Sequence, residues 1–122
     1  MSTFGHNIRP HVDAELRLAA QAEREDQPAL AFGHLERAHV LGQAATLQHV
    51  RVHWLMFTWG WRHGNIRECV GQTLRIVGAA TKTALGLVPT GNTGGSNISP
   101  FKRLPVAPEL EALIRSAQPR RQ

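Results

Sequence analysis

Apolar residues recur at helical spacing along most of the chain, whereas the strict alternation expected of strands is nearly absent. The pattern predicts four main helices and a short final one, at residues 10–25, 27–41, 44–61, 66–87 and 109–117. We therefore expect an all-α fold: a compact antiparallel bundle of about four helices, then an extended C-terminal segment and the short final helix.

Prolines, glycines and short polar residues mark the predicted helix ends. Pro10 suits the first position of a helix, Asp26 is a candidate N-cap and Gly42 is a candidate C-terminal stop. Leu18 falls on the predicted inner face of the first helix. The three tryptophans near the end of the third helix are expected to pack against the first and fourth helices.

Residues 89–95 form a glycine-rich stretch in which a loop is expected. The stretch lacks the lysine of a phosphate-binding loop and no predicted strand precedes it, so we predict no nucleotide site there. Phe101, Leu104 and Val106 are expected to anchor the segment that follows across the bundle.

The composition is that of one globular domain. Of 122 residues, 42% are hydrophobic and 19% charged, which fits a single domain over 1–122 with flexible ends at 1–8 and 118–122. One cysteine excludes an internal disulfide. Because no apolar leader and no apolar run of about 18 residues occurs, we expect a cytoplasmic protein without a membrane span.

The formal net charge of +5 raises the question of nucleic-acid binding. The arginines are spread along the chain, however, and no basic block is interleaved with aromatic residues. We therefore expect a solvated basic surface and no nucleic-acid partner. Helix four, in contrast, could pair two chains as a homodimer.

Histidines are placed at helical spacing on the second and third predicted helices. His49 and His53 lie four residues apart, so both imidazoles share one helix face and can share one metal ion. On the preceding helix, Glu36 and His39 form a Glu-x-x-His unit of the kind that metal-binding bundles use twice. The unit occurs once here, so a dinuclear iron site is not established.

The turn between these two helices determines which of their residues meet. If the turn centres near Ala44, His39 lies opposite His49, and Glu36 lies near the level of His53. Three imidazoles and a carboxylate would then meet at the neck of one hairpin. We predict His39, His49 and His53 as metal ligands, with Glu36 as a fourth ligand or as a base beside the metal.

Three further residues extend the pattern. His11 and Glu15 share a face of the first helix, and His34 lies about 140° from His39 around helix two. They are secondary candidates for a second metal, for support of the first site or for a buried hydrogen-bond network. Core histidines that are satisfied by such a network without any metal remain the alternative explanation.

Three segments resemble a family of small bacterial proteins that is known only as a domain of unknown function. They are His34 to Gln43 (HLERAHVLGQ), His49 to Met56 (HVRVHWLM) and residues 89–95 (PTGNTGG). The resemblance covers about residues 9–110. It implies a metal-homeostasis or resistance setting, since members are often encoded near metal-responsive regulators and cation transporters, but it assigns no activity. The family's recurring polar positions match His34, Glu36, Arg37, His39, Gln43, His49 and His53.

Three functional hypotheses follow from these patterns. The leading one is a protein that senses, buffers or delivers a divalent transition metal: zinc first, with nickel, cobalt, copper or iron as alternatives. The second is a metalloenzyme in which Glu36 acts as general base toward a metal-bound water. The third is a helical interaction module that binds no metal.

Overall fold

Five helices and no strand make up the part of the chain that the computed structural model describes, namely residues 2–82 and 104–120. The helices are α1 (Thr3–Arg24), α2 (Pro28–Gly42), α3 (Thr46–Arg62), α4 (Ile66–Lys82) and α5 (Pro108–Ala117). The predicted all-α class is confirmed. The predictions for residues 89–95, for Phe101 and for the end of helix four at 87 lie outside the described residues.

Consecutive helices from α1 to α4 run antiparallel, because only three residues connect each helix to the next. The α2–α3 pair shows this at both ends. His39 meets His49 beside the connection, and Trp59 Nε1 donates a hydrogen bond to the Pro28 carbonyl at the far end. In the bundle, α1 packs on α2, α2 on α3 and α3 on α4, while α5 lies against α1 and α2.

α1 begins at Thr3 and not at Pro10. The Ser2 hydroxyl caps the helix, and Ile8 is fully buried in the core. Pro10 lies inside the helix on its exposed side, where it costs one backbone hydrogen bond. Burial ahead of the proline therefore outweighs the break that the sequence suggested, and most of the stretch predicted to be flexible at the N-terminus is helical.

Two smaller predictions about the first hairpin are wrong. The buried line of α1 passes through Val12 and Ala19, and Leu18 lies one position, about 100°, away from Ala19 and is 44% exposed. The N-cap of α2 is Gln27, because Asp26 adopts a left-handed conformation (φ 56°) within the turn. Aspartate tolerates that conformation better than most residues do.

Gly42 ends α2 as predicted, but for a different reason. A Cβ on Gly42 would lie 2.9 Å from the Cβ of Gln48 and 3.4 Å from a methyl carbon of Val12. The missing side chain therefore allows α1, the end of α2 and the start of α3 to approach closely. This approach sets the narrow neck of the α2–α3 hairpin, where the site lies.

The prediction that all three tryptophans pack against the first and fourth helices is wrong for Trp54 and Trp61, and the ring contact and hydrogen bond of Trp59 are with α2. Trp59 packs inward, with its ring centroid 4.6 Å from that of Phe32 on α2. Trp54 and Trp61 are 55% and 76% exposed, and each stacks on the intervening Phe57. Their spacing places them on the outer face of α3, since the inner face is taken by the buried histidines of that helix.

α4 turns its polar side inward. Glu68 and Gln72 are 6% and 0% exposed, whereas Val70, Leu74 and Val77 are more than half exposed. Among the described helices α4 packs only on α3. The predicted pairing of two chains through helix four stays a prediction. None of the described helices combines the length and the apolar character needed to cross a lipid bilayer.

Candidate metal centre

Three imidazole nitrogens converge between α2 and α3. The Nε2 atoms of His39 and His49 lie 2.9 Å apart, and each lies 3.1 Å from the Nε2 atom of His53. All three residues are buried, with 2%, 7% and 3% of their surface exposed. We call them the histidine cluster. The structure thus brings together the three histidines that the hairpin register predicted to meet.

The neighbouring residues explain why these imidazoles point inward. Val52 and Met56, on the same face of α3 as the two histidines of that helix, are fully buried in the core. On α2, Leu35 and Ala38 bury the face that carries His39. The side chains that form the core therefore also direct the three imidazoles toward each other.

A hydrogen-bond partner fixes the protonation of one member of the cluster. The Gln72 amide nitrogen donates to Glu68 Oε2 at 2.8 Å, so its oxygen faces His53 Nδ1, 2.5 Å away. An amide oxygen can only accept, which means that His53 Nδ1 carries the proton and its Nε2 presents a lone pair. Burial lowers the pKa of His53 to about 4, so the ring is neutral near pH 7.

Hydrogen bonding among the three Nε2 atoms leaves at least one short contact unexplained. Each imidazole nitrogen has a single in-plane position, so it either donates or accepts. Because His53 Nε2 has no proton, the three contacts of 2.9–3.1 Å cannot all be hydrogen bonds. A cation between the nitrogens would satisfy all three lone pairs. Nitrogens bound to one tetrahedral zinc at about 2.0–2.1 Å lie about 3.3–3.4 Å apart, close to this spacing.

Glu36, the predicted fourth ligand, lies elsewhere. Within the described residues, the group of donor atoms that all lie within 4.8 Å of one another comprises the histidine cluster and no carboxylate. Glu36 instead lines a surface cavity between α2 and the segment before α5, together with Leu104 and Val106. The hairpin register predicted that Glu36 lies near the level of His53, but the α2 residue that contacts His53 is His39.

Two of the three secondary candidates, Glu15 and His34, belong to a separate network that joins α1, α2 and α5. Glu15 is buried and accepts hydrogen bonds from His34 Nδ1 at 2.8 Å and from Arg37 Nε at 2.9 Å. Arg37 also donates to Glu109 at 3.0 Å, and the hydrogen bonds to Glu109 and Glu15 raise its pKa. His11 is half-buried and is not a member of the histidine cluster. We call Glu15, His34, Arg37 and Glu109 the Glu15 network.

A family model described as "Protein of unknown function (DUF3703)" matches residues 6–114. The chain belongs to this family. The match spans both the histidine cluster and the Glu15 network of this DUF3703 chain, and it agrees with the family of unknown function that the sequence segments resembled. No curated protein and no solved structure matches the chain.

Sequence reasoning missed Glu68 and Gln72, the two α4 residues that reach the histidine cluster. Their signal in the sequence was weak: two polar residues at i, i+4 on a helix whose opposite face carries the larger apolar side chains. An apolar face is ordinarily taken as the inner one, which would have turned both residues toward solvent.

Proposed function

We propose that this protein binds one divalent transition-metal ion through the Nε2 atoms of His39, His49 and His53. The observation that supports this most strongly is the convergence of three buried nitrogens, one of them with its lone pair fixed by Gln72. Neutral imidazoles are ligands for zinc, cobalt, nickel and copper(II) alike. We expect zinc first, because three imidazoles and one further ligand suit its tetrahedral preference.

A metal-handling role fits the composition of the site better than a hydrolytic one. Three protein ligands leave at least one position on the ion for water or for a group that receives the metal. The resemblance of the sequence to proteins encoded beside metal transporters and regulators supports a role in homeostasis or resistance. Glu36, the candidate general base of the enzyme hypothesis, lines the cavity against the C-terminal segment and does not belong to the group of donor atoms at the histidine cluster, so it does not support that role.

The experiment compares metal content and affinity in two double variants of untagged protein. One variant, His49→Gln/His53→Gln, removes two of the proposed ligands. The control, His6→Gln/His63→Gln, removes two exposed histidines. Each protein is stripped with a chelator, challenged separately with zinc, nickel, cobalt and copper, and analysed for bound metal. Dissociation constants are then measured by competition with a chromophoric chelator.

We expect about one metal ion per chain in the wild-type and control proteins. The ligand variant should lose more than about 100-fold in affinity, since loss of a partner outside the ligand set already costs about 10–100-fold. Circular dichroism of the stripped proteins shows whether the variant remains folded. Wild-type protein that retains none of the four metals would overturn the proposal and favour the metal-free interaction module.

A further inference from the structure

A buried polar chain connects the histidine cluster to a carboxylate on α4. His53 Nδ1 donates to Gln72 Oε1, and Gln72 Nε2 donates to Glu68 Oε2. We call Gln72 and Glu68 the relay. The residues are 0% and 6% exposed. Gly60 lets α4 come close enough for this, since a Cβ there would lie 3.1 Å from the Cβ of Glu68.

The relay has one direction only. A carboxylate accepts, so the amide nitrogen must face Glu68 and the amide oxygen must face the imidazole. Each donor in the chain points toward the carboxylate, and each hydrogen bond therefore polarises the next. The result is electron density pushed toward His53 Nε2, the atom that lies 3.1 Å from both other nitrogens of the histidine cluster.

The relay also brings the negative charge of Glu68 close to the proposed position of the metal ion. A divalent ion held by three neutral imidazoles keeps its full charge in a buried site, which is unfavourable without a nearby anion. Of the two buried carboxylates in the described residues, Glu15 binds His34 and Arg37. Glu68 reaches the histidine cluster through a single amide, and the Arg75 guanidinium interacts electrostatically with both Glu68 and His53.

We propose that Gln72 and Glu68 are positioning residues of the metal site, which orient His53, fix its tautomer and balance the charge of the bound ion. This inference rests on the proposed metal binding. Carboxylates and carbonyls commonly support metal-bound imidazoles directly. In this chain a glutamine lies between the imidazole and the carboxylate and carries the interaction from one to the other.

Three variants distinguish the effect of the Gln72 hydrogen bonds from the effect of the Glu68 charge. Gln72→Leu removes both hydrogen bonds of the relay. Glu68→Gln can still accept the hydrogen bond from Gln72 but removes the negative charge. The double variant Glu68→Gln/Gln72→Glu exchanges the two residues, so that a carboxylate accepts directly from His53 and the new amide donates to it. The control is Gln21→Leu, because Gln21 and Glu25 form the same type of i, i+4 hydrogen bond on the exposed surface of α1.

Zinc affinity and the visible spectrum of the cobalt(II) form are the measurements. We expect Gln72→Leu to weaken zinc about 10–100-fold and to shift the cobalt bands, and Glu68→Gln to weaken zinc less. The exchanged double variant should return to within about threefold of wild type, as a charged partner is restored. Gln21→Leu should match wild type in both measurements.

The outcomes separate this inference from the proposal on which it rests. Equal zinc affinity and identical cobalt spectra in wild type, Gln72→Leu and Glu68→Gln would overturn the inference alone. A wild-type chain that binds none of zinc, cobalt, nickel and copper would overturn the proposed function as well. If Gln72→Leu does not fold, the near-isosteric Glu68→Gln still decides, since a purely structural relay would leave its zinc affinity unchanged.

Discussion

Glu15 and Glu68 are both buried, yet they serve different parts of the molecule. Glu68 faces the histidine cluster through Gln72. Glu15 is not part of the cluster and binds His34 and Arg37. The two carboxylates therefore allow stability and metal binding to be tested apart from each other.

Replacing Glu15 should cost stability and leave metal binding unchanged. Glu15→Ala removes the acceptor of two hydrogen bonds to basic side chains that are only 20% (His34) and 37% (Arg37) exposed. We expect a loss of about 2–3 kcal/mol in the free energy of unfolding, measured by urea denaturation of metal-free protein. Zinc affinity of the folded variant should stay within about threefold of wild type, because Glu15 is not part of the histidine cluster.

The matched control removes the exposed end of the same network. Glu109→Gln weakens the ion pair with Arg37 at the surface, and an exposed pair contributes little. Its urea midpoint should equal that of wild type within error. A Glu15→Ala variant as stable as Glu109→Gln would show that the network does not hold α1 to α2.

Residue spacing was enough to predict the meeting of His39 and His49. A short turn fixes the register of two antiparallel helices, so residues at equal distance from the turn must face each other. The same arithmetic could not place Glu36. Its side chain lies about 60° around the helix from His39, and that angle decides between the inner face and the cavity near α5.

At the scale of helices, the approach of α2 to α3 depends on one glycine. Gly42→Ala would bring a Cβ to 2.9 Å from the Cβ of Gln48, a distance that forces the two helices apart. We expect a loss of about 1–3 kcal/mol in the free energy of unfolding, measured by urea denaturation. Metal affinity should fall as well, since His39 is on α2 and its two partners are on α3.

Gly33→Ala is the control on the same helix. A Cβ at Gly33 meets nothing within 4 Å, so only helix propensity changes and stability should rise by up to about 1 kcal/mol. Equal effects of the two substitutions would contradict a steric role for Gly42. The opposite signs that we expect cannot arise from helix propensity alone.

α4 shows where helical periodicity misleads. Its larger apolar residues, including Val70 and Leu74, face outward, and its buried polar residues face α3. The periodic pattern identifies α4 as a helix but gives the wrong inner face. The reason is that His53, on α3, needs a polar hydrogen-bond partner, and Gln72 on α4 provides it. The sequence therefore predicted the helices and the histidine cluster. It could not predict the relay, which depends on how α3 and α4 pack.

At the scale of the whole molecule, the histidine cluster lies across the boundary of two hairpins. α1 and α2 form one hairpin, which α5 covers, and α3 and α4 form the other. His39 belongs to the first hairpin, and His49 and His53 belong to the second. A bound ion would therefore cross-link the two halves, and the relay would extend the link to α4.

Metal removal should consequently lower the stability of the entire bundle. An ion that binds only the folded chain, present at about 100 times its dissociation constant, adds about 2.7 kcal/mol to the free energy of unfolding. For a domain near this size the gain corresponds to roughly 10 °C in Tm. We expect excess zinc to raise the Tm of stripped protein by about this amount, and a chelator to reverse the rise, as measured by thermal circular dichroism.

The His49→Gln/His53→Gln variant distinguishes a cross-link from zinc bound elsewhere on the surface. Its Tm should not respond to zinc, whereas the His6→Gln/His63→Gln control should respond as wild type does. A zinc-dependent rise that persists in the ligand variant would place the stabilising ion outside the histidine cluster. Stoichiometric zinc binding without any rise in Tm would mean that the unfolded chain holds the ion equally well, and the two hairpins would then not be joined by it.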